Sequence, residues 1–268
     1  MTIRPHIAII GTGNMGQALL TGLRRAGVPS SSLRIVEANA SLRRTIARRY
    51  RVRAVSLAEA VSTCDVMLLA VKPQQFPDVM GVLAPAITAR HLVISIAAGI
   101  TLRWLKARLP KARLVRVMPN LPATVQRGFS ALAFGSRVNS SDRRLVGEIF
   151  RAVGDVCELP ERHFDAITAV SGSGPAYVFF LVQAWQEAAR QLGLPPAVAA
   201  RAIAATVRGA EAILAASSDA PETWIARVAS KKGTTEAALK VLARRRVAAH
   251  VAEAVKAAAA RSRALAWT

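Results

Sequence analysis

Over the first 160 residues, short apolar runs alternate with stretches whose apolar positions recur every three or four residues. Residues 3–10, 33–37, 66–71, 92–96 and 114–117 are mostly apolar stretches of strand length, 66–71 with no polar residue at all, and residues 15–26 follow the first of them with helical spacing. A strand that is apolar on both faces is buried on both faces. Such runs alternating with helices predict a doubly wound, mostly parallel sheet. Ser41 is expected to cap the helix after the second strand. Residues 129–134 and 153–159 are expected to close the sheet. From Gly174 onward the rhythm changes. No strand is expected there, only long alanine-rich helices broken at 193–196, 217–221 and 230–233. The fold class is therefore α/β, with an N-terminal domain over 1–160 and an all-helical C-terminal domain over 161–268. A helical half so rich in Ala, Val and Leu is expected to hide apolar surface against a second subunit, making a homo-oligomer built on a dimer.

Composition narrows the class. Of 268 residues, 52% are hydrophobic but only 5% aromatic, so the core is expected to be small and aliphatic. No uninterrupted apolar segment is expected to span a bilayer, and the N-terminus shows no signal-peptide pattern. Cys64 and Cys157 have no metal-ligand spacing and read as buried small side chains. These features point to a cytoplasmic protein with no metal and no membrane partner. The net charge of +21 comes from 37 Lys and Arg against 16 Asp and Glu. The arginines are scattered through every helical stretch and aromatics are sparse, so solvated basic faces are expected, not nucleic-acid binding. His6, His91, His163 and His250 form no cluster in the sequence.

Chemistry concentrates in a few tracts. Gly11, Thr12, Gly13, Asn14, Met15 and Gly16 carry the spacing G-x-G-x-x-G between an apolar run and a helical one. The first glycine permits the tight turn, the second lets a pyrophosphate reach bare backbone, and the third lets helix pack on strand. Phosphates would then meet free N–H groups at a helix N-terminus. Ala70, Val71, Lys72 and Pro73 end one apolar strand, and Ala97, Ala98 and Gly99 follow another. Strand C-terminal ends line the ligand crevice of such sheets. Asn120 is expected to bring an amide into the same crevice, and residues 171–177 to open the first long helix. Gly233, Thr234, Thr235 and Glu236 open a late helix whose N–H groups and hydroxyls suit a carboxylate.

In this order the tracts resemble the Δ1-pyrroline-5-carboxylate reductase family over nearly the whole chain. The resemblance implies a Rossmann domain followed by a helical dimerisation domain, with active sites combining one subunit's cofactor domain and its partner's helices. It implies reduction of a cyclic imine to L-proline with NADPH or NADH. By position, Gly11, Thr12, Gly13, Asn14, Met15 and Gly16 would bind the pyrophosphate. Ala70, Val71, Lys72 and Pro73, with Ala97, Ala98 and Gly99, would flank ribose and nicotinamide. Gly233, Thr234 and Thr235 would hold the substrate carboxylate. Thr235 would be the catalytic hydroxyl on the ring nitrogen, and Glu161 would lie near the substrate.

The chain departs from the family pattern at Leu57, Gln183, Arg227, Lys231 and Lys232. Three of these are cations expected to gather beside the carboxylate pocket, and Lys232 replaces a glycine where backbone of positive φ is expected. These departures keep open a paralogue with another cyclic imine, or a dinucleotide-binding regulator with weak turnover. A hydroxyacid or 6-phosphogluconate-type dehydrogenase is a further alternative, but it needs a catalytic lysine on a second-domain helix, and none stands out. Glu37 sits where an acidic side chain would bind a ribose 2′-hydroxyl, whereas Arg43 and Arg44 would pair with a 2′-phosphate. The family resemblance implies NADPH, with NADH as the alternative.

Overall fold

The computed structural model describes residues 5–267. Its elements are β1 (Ile7–Ile10), α1 (Asn14–Arg25), β2 (Leu33–Val36), α2 (Ala40–Tyr50), β3 (Arg53–Ala54), α3 (Leu57–Thr63) and β4 (Val66–Leu69). There follow α4 (Phe76–Ala86), β5 (Leu92–Ser95), α5 (Leu102–Arg108), β6 (Arg113–Pro119), β7 (Gly128–Phe134), α6 (Ser140–Arg151) and β8 (Gly154–Glu158). The remainder is helical: α7 (Phe164–Ile167), α8 (Gly174–Gln191), α9 (Pro196–Ala216), α10 (Pro221–Val228), α11 (Thr234–Arg244) and α12 (Val247–Ala264).

The eight strands form one sheet in the order β3-β2-β1-β4-β5-β6-β7-β8. β1 pairs in parallel with both β2 and β4, so the strand order reverses beside β1. A crevice opens at such a point beyond the strand C-termini. β7 runs antiparallel to β6, and β8 is parallel to β7. Ile7 and Ile9 point into one core and Ala8 and Ile10 into the other, all at most 2% exposed. That two-sided burial is why these strands are continuously apolar. Truncating Ile9 to Ala would cost about 2–5 kcal/mol.

The contacts divide the chain into two compact units. One is Met1–Ser173 with Ala258–Thr268, the other Gly174–Ala257. In the second unit α8 packs on α9, and only Ala189 and Ala199 are buried. Phe179, Phe180 and Trp185 on α8 stand exposed, with Ile213, Leu214, Val228 and Leu242 on later helices.

Several sequence expectations need adjustment. The start of the strand expected over 3–10 lies outside the described residues; β1 itself begins at Ile7. Asn39, not Ser41, caps α2, its Oδ1 accepting the Leu42 N–H at 2.9 Å. Asn39 precedes the first helical residue, so its short side chain reaches forward to a free first-turn N–H, whereas Ser41 already lies inside the helix. The strand β3 and helix α3 have two and seven residues, too short to register as periodic patterns. One helical stretch, Glu161–Gln191, does reach membrane-spanning length and apolarity by length and composition alone. It does so because α7 runs through a π-helical turn (Thr168–Gly172) toward α8, joining two apolar tracts across the Ser-Gly motif.

Candidate active site

Each glycine of the first loop is required for a separate reason. Gly11 has φ +92°, and a Cβ there would lie 2.8 Å from Val71 Cγ1 and 2.9 Å from the Ala70 carbonyl. At Gly16 a Cβ would be driven into the Gly11 carbonyl oxygen, because α1 starts directly beneath the turn. Gly13 differs: its φ of −65° suits any residue, and nothing lies within 4 Å of where its Cβ would stand. Gly13 is the N-cap of α1 and no side chain caps that helix. Its first-turn N–H groups have no intrahelical acceptor. Asn14 and Met15 occupy that turn. The residues therefore fit a pyrophosphate, with a cradle open at Gly13 and closed at Gly11 and Gly16.

Gly11, Thr12 and Gly13 line a cleft of about 530 Å³ together with Glu37, Arg43, Leu57, Ala70, Val71 and Lys72. Pro73 starts the 3-10 turn after Lys72. The Lys72 N–H is taken by Gln75 Oε1 at 3.1 Å, while its side chain stays exposed. Thr12 is fully buried and does not offer its N–H to the cleft. The N–H and hydroxyl donate to Glu37 Oε2 at 2.9 and 2.8 Å, and the Asn39 N–H donates to Glu37 Oε1 at 2.9 Å. Burial raises the Glu37 pKa, but the hydrogen bonds from Asn39 and Thr12 outweigh it and hold the carboxyl below its ordinary value. That depressed value stabilises the fold above the ordinary carboxylate range, and the contribution fades as pH falls through the lowered pKa. Arg43 Nη1 donates to the Glu37 main-chain oxygen at 3.0 Å.

Ala97, Ala98 and Gly99 leave the end of β5, whose Ser95 pairs with Leu69 of β4. They are not among the residues lining the cleft. Only Ala98 of the three is exposed. Gly99 has φ +81°, and a Cβ there would sit 2.5 Å from the Leu265 carbonyl oxygen. The end of the chain explains this. The Trp267 N–H donates to Gly99 O at 2.8 Å, Thr101 Oγ1 donates to Trp267 O at 2.8 Å, and the Trp267 ring packs edge-on against Trp104 at 5.4 Å. Nothing in the sequence pattern foretold this strap. Gly99 makes room for the strap, whereas it was expected to flank ribose and nicotinamide.

Asn120 also departs from expectation. Its Nδ2 donates to Ser171 Oγ at 3.1 Å and its Oδ1 accepts the Phe129 N–H at 2.8 Å. Those bonds stitch β6 to β7 and to the π-helical turn, and spend the amide that was expected to face a ligand. Glu161 Oε1 accepts from Arg116 Nη1 and from the Leu102 N–H, both at 2.8 Å, and the Arg116 guanidinium lies 4.8 Å from the Phe164 ring centroid. His91 is buried, with Nε2 3.0 Å from Val61 O. Among the described residues no group of His, Cys, Asp and Glu could hold a metal ion.

In the second unit Gly233 is the N-cap of α11 and Thr234 and Thr235 are its first two helical residues. The N-cap is a glycine with no side chain to cap the helix, so neither hydroxyl stands at the capping position. Lys232 has φ +59°, the left-handed backbone expected of a glycine, and its N–H is held by Glu236 Oε2. Hydrogen bonds from Lys240 and then the Lys232 N–H lower the Glu236 pKa. Lys231 and Lys232 are exposed. Arg227 is committed to its own loop, paired with Asp219 at 3.1 Å and stacked 4.2 Å from the Trp224 ring centroid. Two of the three expected cations therefore remain next to the turn. Gln183 is exposed on α8.

This arrangement can be set beside known proteins. Residues 161–265 match the family described as "Pyrroline-5-carboxylate reductase dimerisation", and residues 6–99 match "NADP oxidoreductase coenzyme F420-dependent". A pyrroline-5-carboxylate reductase of Pseudomonas aeruginosa is 42% identical, the match covering 98% of this chain and 97% of the relative. The chain belongs to the pyrroline-5-carboxylate reductase family. The reductase of Mycobacterium leprae is 38% identical over 96% of this chain and 95% of its own. The solved structure of the Coxiella burnetii reductase superposes with a TM-score of 0.92 at 33% identity, covering 98% and 99% of the two chains. The Plasmodium falciparum pyrroline carboxylate reductase, solved with NADP bound, gives 0.88 at 26% identity and full coverage of both. The long apolar stretch Glu161–Gln191 lies inside the dimerisation match.

Proposed function

We propose that this protein performs the reaction its family is named for, reducing Δ1-pyrroline-5-carboxylate to L-proline with hydride from NAD(P)H. The observation that carries the reading is likeness to a reductase over 98% of the chain at 42% identity. The open cradle at Gly13 supports the cofactor half of it. NAD(P)H, when bound, supplies the hydride. The chain's own residues have less chemistry to do than those of a hydrolase, because a protonated imine carbon accepts hydride without a nucleophile or a metal.

In this reading residues 1–160 serve as the cofactor domain and residues 161–268 as the dimerisation and substrate domain. Gly11, Gly13, Asn14, Met15 and Gly16 hold the pyrophosphate, and Thr12 acts through Glu37. Ala70 to Pro73 border ribose and nicotinamide, and of Ala97 to Gly99 the exposed Ala98 is the one free to do so. Gly233, Thr234 and Thr235 hold the substrate carboxylate on the N-terminus of α11, with Lys231 and Lys232 adding positive charge. Thr235 Oγ1 accepts a hydrogen bond from the protonated ring nitrogen, which stays on nitrogen as hydride reaches the adjacent carbon. Glu161, held by Arg116 and the Leu102 N–H, is the remaining candidate for a residue near the substrate. The working form is a homo-oligomer built on a dimer, in the cytoplasm.

Thr235→Ala tests the substrate half. A hydrogen bond to the charged iminium N–H contributes roughly 1.5–3 kcal/mol relative to free enzyme and substrate, so kcat/KM should fall about 10- to 150-fold with cofactor affinity unchanged. Because Gly233 and not Thr235 is the N-cap of α11, the melting temperature should hardly move. A melting point that drops while kcat/KM survives would reject the assignment.

A further inference from the structure

We infer that Glu37 makes this protein select NADH over NADPH, an inference that rests on reading the glycine cleft as the cofactor site. Glu37 follows β2 at the strand-order reversal and lines the cleft beside Gly11 and Gly13. Its side chain is not free to swing. Three donors fix the carboxylate: the Thr12 N–H, the Thr12 hydroxyl and the Asn39 N–H, all at 2.8–2.9 Å. The fully buried Thr12 therefore links the acidic group rigidly to the glycine turn.

A carboxylate offers about four acceptor positions, and these donors fill three of them, with the Ala38 N–H adding a lesser contact. What remains for a ligand is acceptor capacity alone. The 2′-hydroxyl of an adenosine ribose brings a donor and completes the set. A 2′-phosphate brings negative charge and no proton to give at neutral pH. The same three bonds hold Glu37 ionised, so it does not escape the clash by taking a proton. Specificity built from such an unpayable like-charge contact is discrimination against the wrong ligand. Arg43, which also lines the cleft, opposes this. Its Nη1 is anchored on the Glu37 main-chain oxygen, at the same end of β2 as the carboxylate. A phosphate reaching for Arg43 must therefore approach the fixed carboxylate too.

The test is direct binding of NADH and of NADPH to the full-length protein, read by nicotinamide fluorescence without imine substrate. The wild-type protein should bind NADH at least about tenfold more tightly, a difference of about 1.4 kcal/mol. Glu37→Gln, which removes the charge but keeps acceptor oxygen, should bring the two affinities within about threefold of each other, mainly by improving NADPH. Arg43→Gln should widen the wild-type ratio further. Equal affinities in the wild-type protein, tighter NADPH binding, or a ratio unmoved by Glu37→Gln would overturn the inference and leave the cofactor cleft standing. Failure of both dinucleotides to bind the folded protein would instead remove the cleft reading on which it rests.

Discussion

The two compact units solve opposite problems. In the first, the central strands are buried from both sides and the glycines sit where backbone meets backbone. It contains its own core. In the second, the 84 residues from Gly174 to Ala257 bury only two of their number, both alanines, and Phe180 is left 69% exposed. A single copy of that unit has no core to speak of. Its apolar surface fits the dimerisation family that matches 161–265, since an obligate interface resembles a core cut in half. The lesson is that apolar composition alone does not locate a core. Period-2 and period-3.6 patterns say which faces are apolar, and a second copy decides whether those faces are inside.

The largest effects should come from the glycine loop, where the account separates fold from binding. Gly16→Val has no room and should lose the fold, at a cost above about 4 kcal/mol. Gly13→Val has room in the protein and should melt normally, yet lose NAD(P)H affinity on the order of 100-fold. Circular dichroism melts beside cofactor titrations check both, and a Gly13→Val protein with intact affinity would remove the cleft from the mechanism.

In the second unit the next largest effect is expected from Phe180→Asp. A charge on the apolar face of α8 should break the oligomer or make the chain insoluble while β1 to β8 still fold. Light scattering of the wild-type protein at low micromolar concentration should never give the 28.5 kDa monomer mass.

A smaller effect is expected from removing residues 265–268. That deletes both hydrogen bonds of Trp267 and its contact with Trp104. The loss should be about 2 kcal/mol and should fall on the sheet unit, seen as faster hydrogen exchange at residues 99–101. Smallest, and opposite in sign, Lys232→Gly should raise stability by about 1 kcal/mol, because a side chain at φ +59° is strained. A chemical melt in urea checks its direction.

Much of this was legible in the sequence, and the exceptions have physical causes. The glycine loop, Lys72 and the Gly233 helix start could be read because backbone geometry and strand ends demand particular residues there. The positive φ at Lys232 was legible for the same reason. Asn120, Glu161 and Arg227 were legible as polar groups near a site, but not as groups already satisfied. Their partners, Ser171, Arg116 and Asp219, are brought to them only by folding. The strap from Leu265 to Trp267 left no periodic signal, since one bridging residue has no period. Thr12 was expected to present its backbone to phosphate, and its burial against Glu37 is a contact across 25 residues of sequence.

The most direct test of the whole account follows NAD(P)H oxidation and L-proline formation together, with pyrroline-5-carboxylate and separately with larger cyclic imines. The account predicts one L-proline for each NAD(P)H oxidised, and faster turnover with pyrroline-5-carboxylate than with any larger ring. Oxidation driven only by a larger imine, or cofactor bound without any oxidation, would contradict it.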